Sequence, residues 1–196
     1  MTISLHLIHF PVYTLGPGTR IGVWFQGCSI RCPGCVTPES WAQDESGGIP
    51  VSEVVKKIKK YMRGVLPTDG LTISGGEPFD QPDALFELAR AARRMGMDDI
   101  LVYSGRELSA LLGKYPEIPG LITALVDGRF EAGNETDDIW KGSGNQTLTV
   151  WDEKFEGVYG EWRSRSTRKL QSARRGKRGY LIGVPRQADV PRLKYP

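Results

Sequence analysis

Short apolar runs alternate with amphipathic stretches between residues 20 and 126, and this alternation constrains the fold more than any other feature. The apolar runs predict strands at Arg20–Gln26, Leu71–Ser74, Asp99–Tyr103 and Ile122–Val126. The stretches between them predict helices at Ser52–Arg63, Pro82–Met95 and Glu107–Leu112. Strands and helices that alternate at this spacing are typical of parallel βαβ units, so the chain is predicted to be an α/β protein.

Four loops of chemical interest each follow one of these strands. They are Cys28–Cys35, Gly75–Pro78, Ser104-Gly105 and Asp127-Gly128. Crossovers between parallel strands are right-handed, so loops that follow the strands gather at one edge of the sheet. Because α/β proteins build their sites at that carboxyl edge, we expect the four loops to form one site.

All three cysteines of the chain lie in the first of these loops. Cys28, Cys32 and Cys35 form a CxxxCxxC run, and no thiol occurs elsewhere. Three clustered thiolates can hold three irons of a four-iron, four-sulfur cube and leave the fourth iron open. An open iron can bind and activate a small molecule, so the spacing indicates chemistry more than scaffolding.

Three other uses of the thiols compete with this interpretation. A structural zinc ion prefers four ligands, so His6 or His9, both upstream on a strand-like segment, would have to complete the site. Cys32-Pro33-Gly34-Cys35 could form a redox dithiol, although the additional Cys28 and the loop-favouring Pro-Gly pair argue against it. A plain electron-transfer cluster normally has four cysteine ligands, one more than this chain offers.

Length and composition indicate one soluble domain, with room for an appendage. The chain has 196 residues, of which 39% are hydrophobic and 25% charged, as in ordinary soluble proteins. No apolar run approaches the roughly 20 residues that span a bilayer, and Met1–Pro17 lacks the Lys and Arg of a signal peptide. An odd number of clustered cysteines does not suit a disulfide framework, so we expect a reducing, cytoplasmic compartment.

The charge is unevenly distributed along the chain. Residues 156–196 carry 11 Lys and Arg against 3 Asp and Glu, whereas the other 155 residues carry 15 against 20. We interpret the basic run as a solvated face, with an acidic partner or nucleic acid as the alternative. Within it, Arg163–Arg178 shows weak periodicity, Gly179–Val184 predicts a final strand, and Pro185–Pro196 an extended terminus.

The motifs together resemble the radical S-adenosylmethionine (SAM) superfamily. One βα unit after the cysteine loop, the chain carries Ser74-Gly75-Gly76-Glu77-Pro78. More closely, the chain is similar to the activating enzymes of anaerobic ribonucleotide reductase, a branch of the glycyl-radical enzyme activases. The resemblance covers roughly residues 10–150. The segments that match the family occur in the same order as in the family: Gly16–Arg20, Gly27-Cys28, Cys32–Cys35, Trp41, Gly75–Pro78, Leu125–Gly128 and Trp140–Gln146.

The resemblance implies a fold and a chemistry. The fold would be an incomplete, open (β/α) barrel of about five or six strands, with a radical SAM core over residues 1–155 and a basic extension over residues 156–196. Cys28, Cys32 and Cys35 would ligate a [4Fe-4S] cluster whose open iron binds SAM. Reductive cleavage of SAM to a 5′-deoxyadenosyl radical would then allow removal of a hydrogen atom from the substrate.

The resemblance also implies a set of SAM-binding residues. Gly76 and Glu77 would accept hydrogen bonds from the SAM ammonium, while Gly34 and Val36 would lie near the adenine. Ser104 and Asp127 would reach the ribose or the methionyl carboxylate, although both are also ordinary turn residues before a glycine, and for Ser104 we favour that role. The whole set is Gly34, Val36, Gly75, Gly76, Glu77, Pro78, Ser104 and Asp127.

The implied partners are a glycyl-radical enzyme as protein substrate and a flavodoxin- or ferredoxin-type reductant. Val36-Thr37 stands where close relatives tend to have Tyr-Asn, and the basic extension is additional, so both features weaken the assignment of the substrate. One alternative is a radical SAM enzyme that modifies a small molecule or a ribosomal peptide. Another is a zinc- or cluster-bearing module that binds nucleic acid through the basic extension.

Overall fold

The computed structural model describes residues 1–44, 47–176 and 178–186. The strands are β1 (Thr2–Ile3), β2 (Leu5–Val12), β3 (Arg20–Phe25), β4 (Ile49–Pro50), β5 (Gly70–Gly75), β6 (Ile100–Tyr103), β7 (Ala124–Asp127), β8 (Thr147–Val150), β9 (Gln171–Arg175) and β10 (Arg178–Ile182). The helices are α1 (Val51–Met62), α2 (Pro82–Arg94), α3 (Leu108–Lys114), α4 (Ile118–Leu121) and α5 (Glu156–Ser164).

A six-stranded mixed sheet forms the centre of the fold, in the order β2-β3-β5-β6-β7-β8. The four inner strands are parallel, and β2 and β8 close the two edges in antiparallel orientation. This confirms the α/β class and places the ends of β3, β5, β6 and β7 at the same edge. The four predicted inner strands and the three helices are present, with bounds that differ by at most two residues.

Helices cover one face of this sheet. The inward positions of β3, namely Ile21, Val23 and Phe25, belong to one buried cluster with Leu85 and Leu88 of α2. The α2 helix begins at Pro82, whose missing N–H suits the first helical turn, and it ends before Gly96, which adopts a φ of +86°. Each fully buried leucine of such a face contributes roughly 1.5–3 kcal/mol through removal from water.

The carboxy-terminal part of the chain covers the opposite face. Tyr159 and Trp162 of α5 pack with Leu101 and Val126, and Ile182 of β10 packs with Trp24 of β3. The β9–β10 hairpin is tied to the segment after β2, because the Gln171 side chain donates to Pro11 O at 2.7 Å and accepts from Tyr13 N at 3.1 Å. Over its described residues, 156–176 and 178–186, the basic run is therefore attached to the sheet through α5 and the β9–β10 hairpin.

Two elements in this region were not predicted from the sequence, where Arg163–Arg178 shows only weak periodicity. Helix α5 and strand β9 both form between residues 156 and 175, since a few apolar side chains are enough to attach each element to the sheet. The predicted final strand is present as Arg178–Ile182. The extended terminus predicted for Pro185–Pro196 lies, beyond Arg186, outside the described residues.

A buried ion pair occupies the amino-terminal end of the sheet. Arg20 opens β3 with a fully buried side chain, and its Nη1 lies 2.6 Å from Asp99 Oδ2. The guanidinium also donates to Thr72 Oγ1 at 2.6 Å and to Leu71 O at 2.9 Å, while Tyr159 OH donates to Asp99 Oδ1 at 2.8 Å. This satisfies both charged groups, as burial of an ion pair requires.

Among the described residues, no helix combines the length and the apolar composition that crossing a bilayer demands.

Candidate cofactor site

The cysteine loop leaves the sheet at the end of β3 and is held at its base. Gly27 adopts a φ of +98°, which favours glycine, and directs the chain away from the strand. Its N–H donates to Ser40 O at 2.8 Å, and Cys28 N donates to Trp41 O at 3.1 Å. Residues 28–39 therefore form a loop with both ends fixed beside the carboxyl edge of the sheet.

Asp80 clamps the same loop near its first cysteine. Its carboxylate accepts from Ser29 N at 2.6 Å and from Ser29 Oγ at 2.9 Å. Arg106, in the loop after β6, forms an ion pair with Asp80 at 2.5 Å. The clamp links the loops that follow three neighbouring strands, and a carboxylate that accepts backbone N–H donors in this way holds them firmly.

The three thiols line one open cavity of about 230 Å³ at this edge. Cys28, Cys32 and Cys35 are each half-buried. Burial raises the pKa of the Cys28 thiol, and the nearby carboxylates of Glu77 and Asp80 add to that effect. The structure therefore places the three candidate iron ligands around one accessible space.

The glycine pair after β5 packs directly against the start of the cysteine loop. Gly76 N donates to Phe25 O at 2.8 Å and Glu77 N donates to Gly27 O at 2.9 Å. A Cβ added to Gly76 would lie 2.0 Å from Gly27 O, and one added to Gly75 would lie 2.4 Å from Phe25 N. Only glycine allows the two loops to approach so closely, so these glycines position the cysteines as well as lining the cavity.

Glu77 is buried in the cavity wall with a relative exposure of 1%. Its carboxylate accepts from Phe79 N at 3.0 Å, from Ser104 Oγ at 2.9 Å and from Gly105 N at 2.9 Å. Burial nevertheless raises the pKa of Glu77, against the opposing effect of these donors. The side chain braces the loops after β5 and β6, and contact of this motif with the SAM ammonium remains a prediction.

The other predicted SAM-binding residues divide into two groups. Gly34, Val36 and Ser104 line the cavity together with Gly75, Gly76 and Glu77. Pro78 and Asp127 are absent from the described lining residues. The Asp127 carboxylate accepts from Leu108 N at 2.9 Å and from the Thr147 hydroxyl. It therefore binds the first residue of α3 and the first residue of the edge strand β8.

Neither histidine lines the cavity, as far as the described residues show. His6 Nδ1 lies 3.0 Å from Gln26 Oε1, and its ring meets the edge of Tyr180 at 5.8 Å. His9 lies further along β2, where burial lowers its pKa. Within residues 1–44, 47–176 and 178–186, no three His, Cys, Asp or Glu side chains are arranged to hold a single metal ion.

The donor set fits an iron–sulfur cube. Thiolates are the ligands that such clusters prefer, and each of the three binds a different iron, so they need not converge on one point. Gly75 and Gly76 also border the cavity, and because they lack side chains a ligand can approach their backbone closely. Cys28, Cys32 and Cys35 would hold the cluster, and the glycine motif would face whatever binds its open iron.

Several site residues were missed by sequence reasoning. Asp80 and Arg106 carry no motif of their own, although Asp80 follows the Gly-Gly-Glu-Pro segment by two positions. Trp24 and Tyr103 line the cavity from the strands and read only as core residues in the sequence. The cavity is also lined by Leu181, Gly183, Val184 and Pro185, for which no local signal exists because a distant hairpin brings them there.

Comparison with known proteins agrees with this geometry. A family described as a 4Fe-4S single cluster domain matches residues 14–149. The anaerobic ribonucleoside-triphosphate reductase-activating protein of Salmonella typhimurium is 32% identical over 146 residues, which cover 71% of this chain and 94% of that protein. The protein of the same name from Escherichia coli K12 is 31% identical over 147 residues, with the same coverage.

A second kind of activase also matches. The pyruvate formate-lyase-activating enzyme of Streptococcus mutans is 29% identical over 138 residues, or 68% of this chain and 52% of that enzyme. The family match over residues 14–149 of this chain spans all three cysteines and the glycine motif. The chain therefore belongs to the 4Fe-4S single cluster domain family and, within it, to the radical SAM activases of glycyl-radical enzymes.

Proposed function

We propose that this chain is a radical SAM activase that generates a glycyl radical on a partner enzyme of the anaerobic ribonucleotide reductase type. The observation that carries the proposal is the placement of three thiols from one loop around a cavity shared with Gly75, Gly76 and Glu77. The names of the relatives supply the substrate class, since the first matches activate a ribonucleoside-triphosphate reductase.

In this proposal the cysteine loop holds a [4Fe-4S] cluster and the loops after β5 and β6 hold SAM. When bound and reduced, the cluster and SAM together supply a 5′-deoxyadenosyl radical that can remove a hydrogen atom from a glycine Cα. The protein contributes placement: Asp80 fixes Ser29 beside Cys28, and the glycine pair fixes the distance between the two loops. Trp24 and Tyr103 line the same cavity, and their aromatic rings are proposed to keep water away from the bound cofactor.

Burial of Glu77 supports a bracing role in the same site. A carboxylate with three hydrogen-bond donors of the chain cannot swing away without leaving them unpaired. It thereby holds Ser104 and Gly105 against the Gly-Gly-Glu-Pro loop, which keeps the SAM side of the cavity rigid. Rigid placement matters because a radical reaction requires the reacting atoms to be close and aligned.

Several finer features belong to the same proposal. The six-stranded sheet is proposed to curve into an incomplete, open (β/α) barrel, with residues 1–155 as the radical SAM core and residues 156–196 as an extension of it. A flavodoxin- or ferredoxin-type protein is proposed as reductant. Three thiols with no disulfide among them suit a reducing, cytoplasmic compartment.

The test is anaerobic reconstitution with iron and sulfide, followed by reduction in the presence of SAM and of the anaerobic ribonucleoside-triphosphate reductase from the same organism. We expect 5′-deoxyadenosine in solution and a glycyl radical on the reductase by electron paramagnetic resonance. Cys32→Ala should abolish both signals and lower the bound iron, because two thiols cannot hold the cube. Ser172→Ala, at an exposed position of β9, is the matched control and should behave like the wild type.

The outcomes separate the alternatives. Production of 5′-deoxyadenosine without any radical on the reductase would favour a small molecule or a peptide as substrate. A Cys32→Ala protein that still cleaves SAM would contradict the ligand assignment.

A further inference from the structure

The last described segment of the chain lines the cofactor cavity although it lies outside the family match. The match covers residues 14–149, whereas Leu181, Gly183, Val184 and Pro185 line the same cavity as the three cysteines. The implied cofactor residues that line the cavity lie at the end of β5 or in the loops after β3, β5 and β6. The carboxy-terminal segment reaches the cavity from another direction, on a hairpin tied to Pro11 and Tyr13.

This segment is firmly built. Thr14 Oγ1 donates to Ile182 O at 3.1 Å, and Arg168 Nη1 donates to Val184 O at 2.7 Å. The same guanidinium donates through Nη2 to Asp138 O at 2.5 Å. Gly183 turns the chain with a φ of +132°, where an added Cβ would lie 2.9 Å from Lys169 O. Because both neighbouring carbonyls are anchored, the wall has a defined shape before any ligand binds.

Side chains alternate in direction along the segment. Ile182 is only 2% exposed and packs with Trp24 and Leu15. Leu181 before it is 41% exposed, yet it borders the cavity. Val36 on the cysteine loop is likewise 37% exposed at the same cavity. Apolar side chains that are exposed at a cavity mouth contribute a favourable free energy of burial only when a ligand removes them from water.

We infer that residues 181–185 form the substrate-side wall of this cavity, and that Leu181 and Val184 contact the glycine-bearing segment of the partner enzyme. This inference rests on the proposed function. The proposed reaction needs an extended piece of polypeptide to reach the cofactor, and such a piece offers the backbone and small side chains that an apolar, preformed wall can cover. Residues 181–185 thereby select the partner enzyme, whereas the loops within residues 14–149 bind the cofactor.

The experiment separates the two roles by measuring two rates for one variant. Leu181→Asp introduces a charge at the wall, and Leu181→Ala removes the apolar contact without a charge. With SAM and reductant alone, we expect 5′-deoxyadenosine formation to fall by a smaller factor than the KM for the partner protein rises, because the proposed contact of Leu181 is with that protein. With the anaerobic ribonucleoside-triphosphate reductase of the same organism, we expect the KM for that protein to rise about 10-fold for Leu181→Asp and less for Leu181→Ala.

Leu66→Asp is the matched control. Leu66 is 47% exposed in the loop before β5 and does not border the cavity among the described residues, so both rates should remain at the wild-type level. Thermal unfolding of each variant shows whether the fold is kept, and the milder Leu181→Ala replaces Leu181→Asp if the charge unfolds the hairpin.

Two results would overturn the inference alone. Leu181 variants that match Leu66→Asp in both rates would show that nothing contacts the wall. An equal loss of 5′-deoxyadenosine formation and of radical transfer would assign the wall to the cofactor. If the unaltered chain cleaves SAM but makes no radical on the reductase, the proposed function fails first and the inference fails with it.

Discussion

The two ends of the parallel strands carry polar groups in opposite circumstances. At the amino-terminal end, Arg20 and Asp99 are buried together and find their partners within the chain. At the carboxyl-terminal end, three half-buried thiols border an open cavity. The same sheet therefore holds one polar group set that stabilises the fold and another that remains accessible for chemistry.

Polar groups that stabilise this fold differ from those open to a ligand in whether the chain already supplies their partners. A buried polar group that is fully paired has no capacity left for a ligand. A group that the fold holds in place without supplying it with a partner can still bind a ligand. Glu77 lies between these cases, because it faces the cavity but is already engaged by three donors of the chain. Variants at the amino-terminal end should accordingly lower the stability of the fold, and variants at the carboxyl-terminal end should change cofactor binding.

The largest effect is expected at the amino-terminal end. Arg20→Leu leaves the Asp99 carboxylate buried without its counter-charge, which should lower the free energy of unfolding by about 3–5 kcal/mol. Denaturant unfolding measures the loss. The control is Lys56→Leu, which breaks the exposed 2.7 Å pair with Glu53 and should cost less than about 1 kcal/mol. Equal losses for the two variants would contradict the comparison.

A smaller loss of stability, with a larger loss of iron, is expected for Gly76→Ala. The new Cβ would lie 2.0 Å from Gly27 O, so the two loops must separate at a cost of about 1–3 kcal/mol. Because the cysteine loop moves with Gly27, we expect bound iron per folded chain to fall after reconstitution. Gly113→Ala in α3, where a Cβ meets nothing within 4 Å, should keep its iron and gain about 0.5–1 kcal/mol. A Gly76→Ala protein with full iron content would show that the loops are adaptable.

The smallest effect is expected in the pH dependence of Glu77→Gln. Burial raises the pKa of Glu77 in the folded chain above the value of about 4.3 of an unfolded glutamate. The stability that Glu77 contributes is therefore present below the unfolded pKa and is lost as the pH rises through the folded pKa. Glutamine cannot ionise, so the wild type should lose stability relative to the variant as the pH rises, by less than about 2 kcal/mol.

Unfolding curves of both proteins from pH 4 to pH 8 measure this difference. Glu161→Gln is the control for the removal of an exposed carboxylate, because the Glu161 side chain is 74% exposed. A constant difference for Glu77→Gln would mean that its donors offset burial completely.

The sequence predicted the parts of this molecule that depend on local pattern. Helix α2 could be located from Pro82 and Gly96, and the strand before Gly75 from its apolar run and the glycines after it. The gathering of the cysteine and glycine loops followed from the right-handed connection of parallel strands. The spacing of Cys28, Cys32 and Cys35, together with the glycine motif, was enough to indicate the cofactor.

Non-local pairings could not be predicted in the same way. Arg20 reads as the polar start of a strand, and nothing near it in the sequence points to Asp99, 79 positions later. The Gly16–Arg20 segment, recognised only by its family order, is explained by this pair, since Gly16 lies against the Arg20 side chain. The wall formed by Leu181 and Val184 depends on a hairpin whose last strand was predicted, whereas nothing in its basic sequence indicated that it reaches the cavity.

Tyr159 of α5 donates its hydroxyl to Asp99 Oδ1, so the carboxy-terminal extension completes the hydrogen bonding of a carboxylate that belongs to the core sheet. Without α5, Asp99 would keep its counter-charge from Arg20, but Oδ1 would need another donor, such as a water molecule. The extension and the amino-terminal end of the sheet are therefore coupled in stability. A chimaera that carries another extension, with no hydroxyl at this place, should lose the hydrogen bond and part of its free energy of unfolding.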